Sequence, residues 1–170
     1  MRWTMTLLAV TLMASGCDKE EAAQGAATTM NDPAPVIAVA AAPIDLPTVM
    51  VYKSESCGCC SGWVEHLEAA GFTVEARNMD YLTTVKTDAG VPVHLSSCHT
   101  ALVGGYVVEG HVPADVIKRM LAERPTIAGI AVPGMPMGSP GMEGPNPQPY
   151  QVMSFDHQGE DGVYAEVDPR

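Results

Sequence analysis

Three cysteines within four residues, Cys57-Gly58-Cys59-Cys60, constrain this chain more than any other feature of its sequence. The segment before them, 48–54, is rich in apolar and β-branched residues and predicts a buried strand. The segment after them, 61–71, has apolar residues at helical spacing and ends at Gly71, which is typical of a helix. The cysteines are therefore predicted at the start of a helix that follows directly after a strand.

The rest of the chain continues this alternation of strands and helices. The next predicted elements are a strand over 72–78, a short helix over 80–90, two strands within 101–110 around Gly104-Gly105, and a helix from Pro113 to about Pro125. The predicted order is β-α-β-α-β-β-α, that of an α/β, thioredoxin-like domain. A Pro/Gly/Met-rich loop over 133–149 follows, because proline excludes regular structure there, and a C-terminal β-hairpin turns at 157–161.

The first residues are typical of an export signal. Arg2 precedes an apolar run, and small residues precede Cys17. The segment resembles a bacterial lipobox with Ala14 where leucine is usual, which implies a signal peptide of residues 1–16 and a lipid on the Cys17 thiol. Asp18 then favours the inner membrane. The alternative is ordinary signal cleavage that leaves Cys17 free.

Composition separates a tether from a folded domain. Residues 17–47, rich in alanine and proline, are predicted as a lipid-anchored flexible linker, and residues 48–170 as the thioredoxin-like domain. The predicted location is the periplasm, which permits disulfides, with membrane contact through the lipid anchor only. A net charge of −11 argues against nucleic-acid binding and suits a protein whose partners are cations.

The spacing of the cysteines allows two kinds of chemistry. Cys57 and Cys60 form a CxxC pair, the spacing of dithiol redox sites. Cys59 has no task in such a pair, because a bond between the adjacent Cys59 and Cys60 would be strained. A metal site, above all one with bridging thiolates, uses all three sulfurs. The positive end of the predicted helix favours the thiolate form that both chemistries need.

A fourth cysteine, Cys98, lies just before the third predicted strand. In a thioredoxin-like fold this turn packs beside the start of the first helix, so Cys98 is expected to face the other three. Four thiolates suit tetrahedral Zn²⁺ or, as soft ligands, Cu(I). The structural alternative is a pair of disulfides, Cys57–Cys60 and Cys59–Cys98, that only stabilises the domain.

Methionine and histidine side chains are candidate secondary ligands. The loop over 133–149 carries Met135, Met137 and Met142, whose thioethers favour Cu(I) over Zn²⁺ but equally suit apolar plugs that fix the loop to the domain. His99, beside Cys98, is a candidate ligand or sets the local charge. The remaining histidines and one acidic residue near the cysteines are predicted as solvated groups: His66, His94, His111, His157 and Glu55.

Several separated motifs together resemble one bacterial family. CGCC after a strand, SCHTALVGGYVVEGHVPADVI and AVPGMPMGSPGMEG are similar to the CopG-type copper-resistance proteins, a metal-binding group formerly described only as a domain of unknown function. The likeness runs from about Thr48 to Phe155. It implies an exported thioredoxin-like protein that binds a multinuclear copper–thiolate cluster and handles copper redox state. The residues matching its cluster thiolates are Cys57, Cys59, Cys60 and Cys98.

The sequence thus supports two hypotheses of different classes. The favoured one is an exported protein that holds a Cu(I)–thiolate cluster for copper sequestration or copper redox handling in copper resistance. Its partners would be copper ions and other periplasmic copper-handling proteins. The alternative is a periplasmic thiol–disulfide oxidoreductase using the Cys57/Cys60 pair. No general acid or base stands out near the cysteines, so the sequence leaves a catalytic cycle open.

Overall fold

A computed structural model describes residues 45–170. The predicted signal peptide of residues 1–16, the lipidation site at Cys17 and most of the predicted linker over 17–47 lie outside the described residues. They remain predictions, as does the start of the domain at residue 48. None of the described helices is long and apolar enough to cross a membrane.

The described chain contains seven strands and three α-helices. The strands are β1 (Val49–Lys53), β2 (Val74–Asn78), β3 (Thr100–Val103), β4 (Tyr106–Glu109), β5 (Gly129–Ala131), β6 (Tyr150–Phe155) and β7 (Asp161–Val167). The helices are α1 (Gly58–Ala69), α2 (Thr83–Asp88) and α3 (Ala114–Glu123), with a 3-10 turn at Val93–Leu95. The mixed α/β class and the predicted order β-α-β-α-β-β-α are confirmed, as are the irregular loop and the C-terminal hairpin. The thioredoxin-like description is an interpretation of that order.

All seven strands form one sheet in the order β2-β1-β3-β4-β5-β6-β7. The pairs β1/β2 and β4/β5 are parallel, and the other four neighbouring pairs are antiparallel. It follows that β1, β2, β4 and β5 run in one direction and β3 in the opposite one. The carboxyl ends of β1, β2, β4 and β5 and the amino end of β3 therefore meet at one edge of the sheet.

Side chains on the two faces of the sheet belong to different apolar clusters. Val108 and Ile130 pack in the larger cluster with Trp63 of α1 and Ile117 of α3. Their neighbours along the strands, Val107 and Ala131, point to the opposite face of the sheet. There they pack in a smaller cluster with Phe155 and the segment around the 3-10 turn. Both faces are thus covered, which holds the edge of the sheet in a fixed shape.

The sequence pattern does not indicate β5 and places the start of α1 too late. β5 has only three residues, Gly-Ile-Ala, too few to show a period. It forms because β4 and β6 offer backbone partners on both sides. The helix predicted over 61–71 also begins earlier, at Gly58, with Cys57 as its N-cap residue. Cys59 and Cys60 therefore lie inside the first turn of α1.

Candidate metal centre

Within residues 45–170, one edge of the sheet collects the CGCC motif, the Cys98 turn and the methionine loop. Cys57 follows the carboxyl end of β1, Cys98 precedes the amino end of β3, and the loop over 133–149 follows β5. The segment after the carboxyl end of β4 reaches the same edge and carries His111. Four separate connections therefore contribute to one site.

The sulfurs of the four predicted cysteines lie close together. The Sγ atoms of Cys57, Cys59, Cys60 and Cys98 are all within 4.8 Å of one another. Cys57 and Cys60 form a disulfide, while Cys59 and Cys98 carry free thiols. The Cys59 Sγ lies 3.5 Å from the Cys57 Sγ. The expected facing of Cys98 and the three helix cysteines is therefore present, and one of the two disulfides considered from the sequence is formed.

The sulfurs differ in their access to solvent. Cys60 is fully buried, whereas Cys57, Cys59 and Cys98 are partly exposed. Burial and the neighbouring Cys59 raise the pKa of the Cys98 thiol to about 11. At neutral pH Cys98 is therefore a thiol in the metal-free site, and a metal ion that binds its sulfur displaces a proton.

His111 is a site residue that the sequence pattern does not reveal. The prediction that it is a surface group is wrong, because its side chain is completely buried. Its Nδ1 donates to the carbonyl of Pro140 at 2.7 Å, which leaves the lone pair of Nε2 directed at the Cys98 Sγ, 3.0 Å away. A histidine whose ring orientation and tautomer are fixed by a hydrogen bond from one nitrogen, with the other nitrogen free to bind, is typical of a metal ligand. Burial lowers the pKa of His111, which favours the neutral ring that metals bind.

His99 lies on the buried side of Cys98. Its Nδ1 is 3.4 Å from the Cys98 Sγ, and its Nε2 is a buried nitrogen without a hydrogen-bond partner. The centroid of the His99 ring lies 4.4 Å from that of Trp63 and 5.0 Å from that of His111, and the His111 ring meets it edge-on. Burial lowers the pKa of His99 to about 3, so the ring is neutral. Cys98, His99 and His111 form a second group whose ligand atoms lie within 4.8 Å of one another.

The other predicted surface groups have mixed outcomes. His94 and His157 are exposed as predicted, and His94 bonds Asp161 at 2.7 Å. Glu55 is also exposed. The prediction for His66 is wrong, because its half-buried Nε2 accepts a bond from the Ala114 amide at 3.1 Å. This bond satisfies an amide at the start of α3 that has no partner within the helix.

The methionine loop is fixed at three points around the cysteines. The Ser97 hydroxyl donates to the Gly134 carbonyl, and His111 donates to the Pro140 carbonyl. Gly141, at φ +81°, lies against the first turns of α1, where a β-carbon would come within 2.3 Å of the Cys59 carbonyl oxygen. The loop is therefore held beside Cys59 and Cys98 by contacts to its backbone.

The three methionines of this loop do not share one environment. Met135 is 53% exposed and Met137 38% exposed, while Met142 is half-buried. Met135 is therefore mostly in solvent, whereas Met137 is more covered and lies against Gly144 of the same loop. Their proposed part in binding copper remains a prediction.

The chemistry of the arrangement is that of a soft metal site that can also be oxidised. Once reduced and deprotonated, the four cysteines offer thiolates beside the Nε2 of His111, and such sulfur and imidazole ligands suit Cu(I) and Zn²⁺. The Cys57–Cys60 disulfide withholds two of the four sulfurs until two electrons and two protons reduce it. A cavity of about 710 Å³ lies away from the cysteines, between the β3–β4 hairpin and α3.

Comparisons with known proteins agree with this chemistry. A family model described as a protein of unknown function, DUF411, matches residues 95–142. Two solved structures, titled copper resistance protein CopG in Form 1 and Form 2, are each 43% identical to this chain, with a TM-score of 0.68. Each match covers 72% of this chain and 98% of the other. No curated protein matches this chain.

Proposed function

The chain belongs to the CopG-type copper-resistance family, and from this membership we propose that it binds several Cu(I) ions in a thiolate cluster. The proposed ligands are Cys57, Cys59, Cys60 and Cys98, and the proposed role is copper sequestration or copper redox handling. The observation that carries the proposal is the mutual distance of the four sulfurs, all within 4.8 Å. At such separations one thiolate can bridge two metal ions.

Two features support copper over zinc as the metal. Cys98 belongs both to the four-cysteine group and to a second group with His99 and His111, so the centre offers more donor atoms than one tetrahedral zinc needs. The exposed thioethers of Met135 and Met137 lie on the loop fixed against the same site, and thioethers select Cu(I). We propose these methionines, with Met142 and His99, as secondary copper ligands.

The oxidised pair supports a second candidate function. Cys57 is partly exposed at the N-terminus of α1 and is bonded to the fully buried Cys60. A partner thiolate can attack the Cys57 sulfur and form a mixed disulfide, which releases Cys60 as a thiolate. The positive end of α1 stabilises that thiolate. This arrangement supports a thiol–disulfide oxidoreductase in which Cys57 attacks and Cys60 resolves. That function needs neither Cys98 nor the histidines.

Metal loading of the full chain tests the proposed function directly. We expect the chain, reduced with a phosphine and loaded anaerobically with Cu(I), to retain several copper ions after competition with a Cu(I) chelator. Elemental analysis gives the ratio of metal to chain, and a parallel loading with Zn²⁺ is the control for a structural zinc site. Less than one retained copper per chain would contradict the cluster, and one retained zinc in its place would identify a zinc site.

We propose that the protein acts at the periplasmic face of the inner membrane, attached through a lipid on Cys17. The support is the lipobox-like segment before Cys17 and the aspartate after it. In cells, the wild-type chain is expected to fractionate with membranes and the Cys17→Ser variant with soluble periplasmic protein. Recovery of both chains in the soluble fraction would mean that the signal is cleaved without lipid attachment.

A further inference from the structure

The carboxylate of Glu109 is the most deeply buried acidic group of the described residues. Glu109 ends β4, and its side chain is 0% exposed. Its Oε1 accepts the backbone amide of Ser97 at 2.6 Å and pairs with the ammonium of Lys86. Its Oε2 accepts the hydroxyl of Thr100 at 2.7 Å. A buried charge is costly unless all its bonding positions are used, and here both oxygens are bonded.

These contacts enclose the turn that carries the fourth sulfur. Ser97 precedes the Cys98-His99 dipeptide and Thr100 follows it, so one carboxylate bonds both flanks of the dipeptide. Lys86, on α2, also donates to the Thr100 hydroxyl at 3.0 Å. The ion pair is therefore linked to the Cys98 turn through two hydrogen-bonded groups and to no other part of the cysteine site.

We propose that Glu109 is a positioning residue whose carboxylate holds the turn at residues 97–100 so that the Cys98 sulfur faces the sulfurs of α1. The importance of this placement for copper rests on the proposed function, but the placement itself is a property of the metal-free protein. It can therefore be measured without copper. Because apolar replacement of a buried ion pair is often neutral for stability, an effect on the position of the Cys98 sulfur is what distinguishes this role.

The test measures how readily the two free cysteines, Cys59 and Cys98, form a disulfide with each other. In the full chain with Cys17→Ser, Cys57→Ser and Cys60→Ser, only Cys59 and Cys98 remain. Their effective concentration is the equilibrium constant for forming the Cys59–Cys98 disulfide against glutathione. We expect Glu109→Gln to lower this effective concentration about tenfold or more, because small misplacements of reacting groups have large effects. The NH₂ group of the new glutamine is also a donor, and it would face groups that donate to the Glu109 carboxylate, such as the Ser97 amide and the Thr100 hydroxyl.

Two further variants separate positioning from stability. Glu75→Gln removes the same charge from an exposed site on β2 and is expected to leave the effective concentration unchanged. The double variant Glu109→Leu/Lys86→Met replaces both charges with apolar side chains, a change that is often neutral for stability. The Ser97 amide and the Thr100 hydroxyl lose their acceptor in this variant, so it should melt below the parent but stay folded. The folded variant should still show the lowered effective concentration, which a purely stabilising role for the ion pair does not predict.

The outcomes distinguish this inference from the proposed function. An effective concentration within about twofold of the parent, in a folded Glu109→Gln or double variant, would overturn the positioning role. If Glu109→Gln does not fold, the double variant and Thr100→Val, which removes one of the two flanking donors, decide the question by the same criterion. A wild-type chain that binds no Cu(I) refutes the cluster without affecting this result.

Discussion

Cys98→Ser is expected to lower the number of Cu(I) ions retained by the chain sharply and to weaken those that remain by more than about 100-fold. That factor is the upper end of the cost of losing an outer-shell partner, and a direct ligand should cost more. The physical reason is that Cys98 is the one sulfur of the four that does not come from the segment at the start of α1. It closes the site from the β3 side, next to His111 at 3.0 Å.

Elemental analysis and chelator competition on the reduced full chain measure this effect, with Cys17→Ser as the control for loss of any cysteine. The same variant separates the two candidate functions. An oxidoreductase that uses Cys57 and Cys60 keeps its activity on a disulfide substrate when Cys98 is replaced. Unchanged copper binding in Cys98→Ser, with unimpaired disulfide exchange, would contradict the four-thiolate cluster and favour the oxidoreductase.

The sequence predicts the sulfur part of the site because its signals are local. The CGCC motif lies between a strand pattern and a helix pattern, and the order of later elements brings the Cys98 turn to the same sheet edge. The edges of the predicted elements shift by a few residues, since helix and strand ends depend on caps and on pairing partners. β5 has no local signal, because its three residues are held by the strands on either side.

The polar part of the site could not be predicted because its signals are not local. His111 lies 13 residues after Cys98 and returns to it only through the β3–β4 hairpin, whose turn at Gly104-Gly105 needs positive φ at both positions. The Pro140 carbonyl that orients His111 lies 29 residues further along the chain. A lone histidine or glutamate in a sequence has no period or spacing, so burial in the folded protein is what identifies His111 and Glu109.

Gly141→Ala is expected to lower the free energy of unfolding by at least about 2 kcal/mol more than a matched glycine substitution elsewhere, because overpacking against fixed backbone adds to conformational strain. A β-carbon at Gly141 would come within 2.3 Å of the Cys59 carbonyl oxygen and 2.7 Å of the Trp63 nitrogen, both backbone atoms of α1. Gly159 in the β6–β7 turn has φ +84°, against +81° for Gly141, and no neighbour within 4 Å. Gly159→Ala therefore has the strain of a positive φ without any steric clash. The difference between the two variants in the free energy of unfolding, measured with denaturant, gives the cost of the clash with α1. Equal losses would show that the loop is free to move off α1.

The same variant also reveals how the loop serves the metal. A loop displaced from α1 takes the Pro140 carbonyl away from His111, so Gly141→Ala should reduce copper retention even where the chain stays folded. The triple variant Met135→Leu/Met137→Leu/Met142→Leu keeps the Gly141 contact and removes the three thioethers. If the triple variant binds as much copper as the wild type and Gly141→Ala binds less, the loop acts by orienting His111. If both bind less, the thioethers are ligands in their own right, and full retention in both variants would exclude the loop from the copper site.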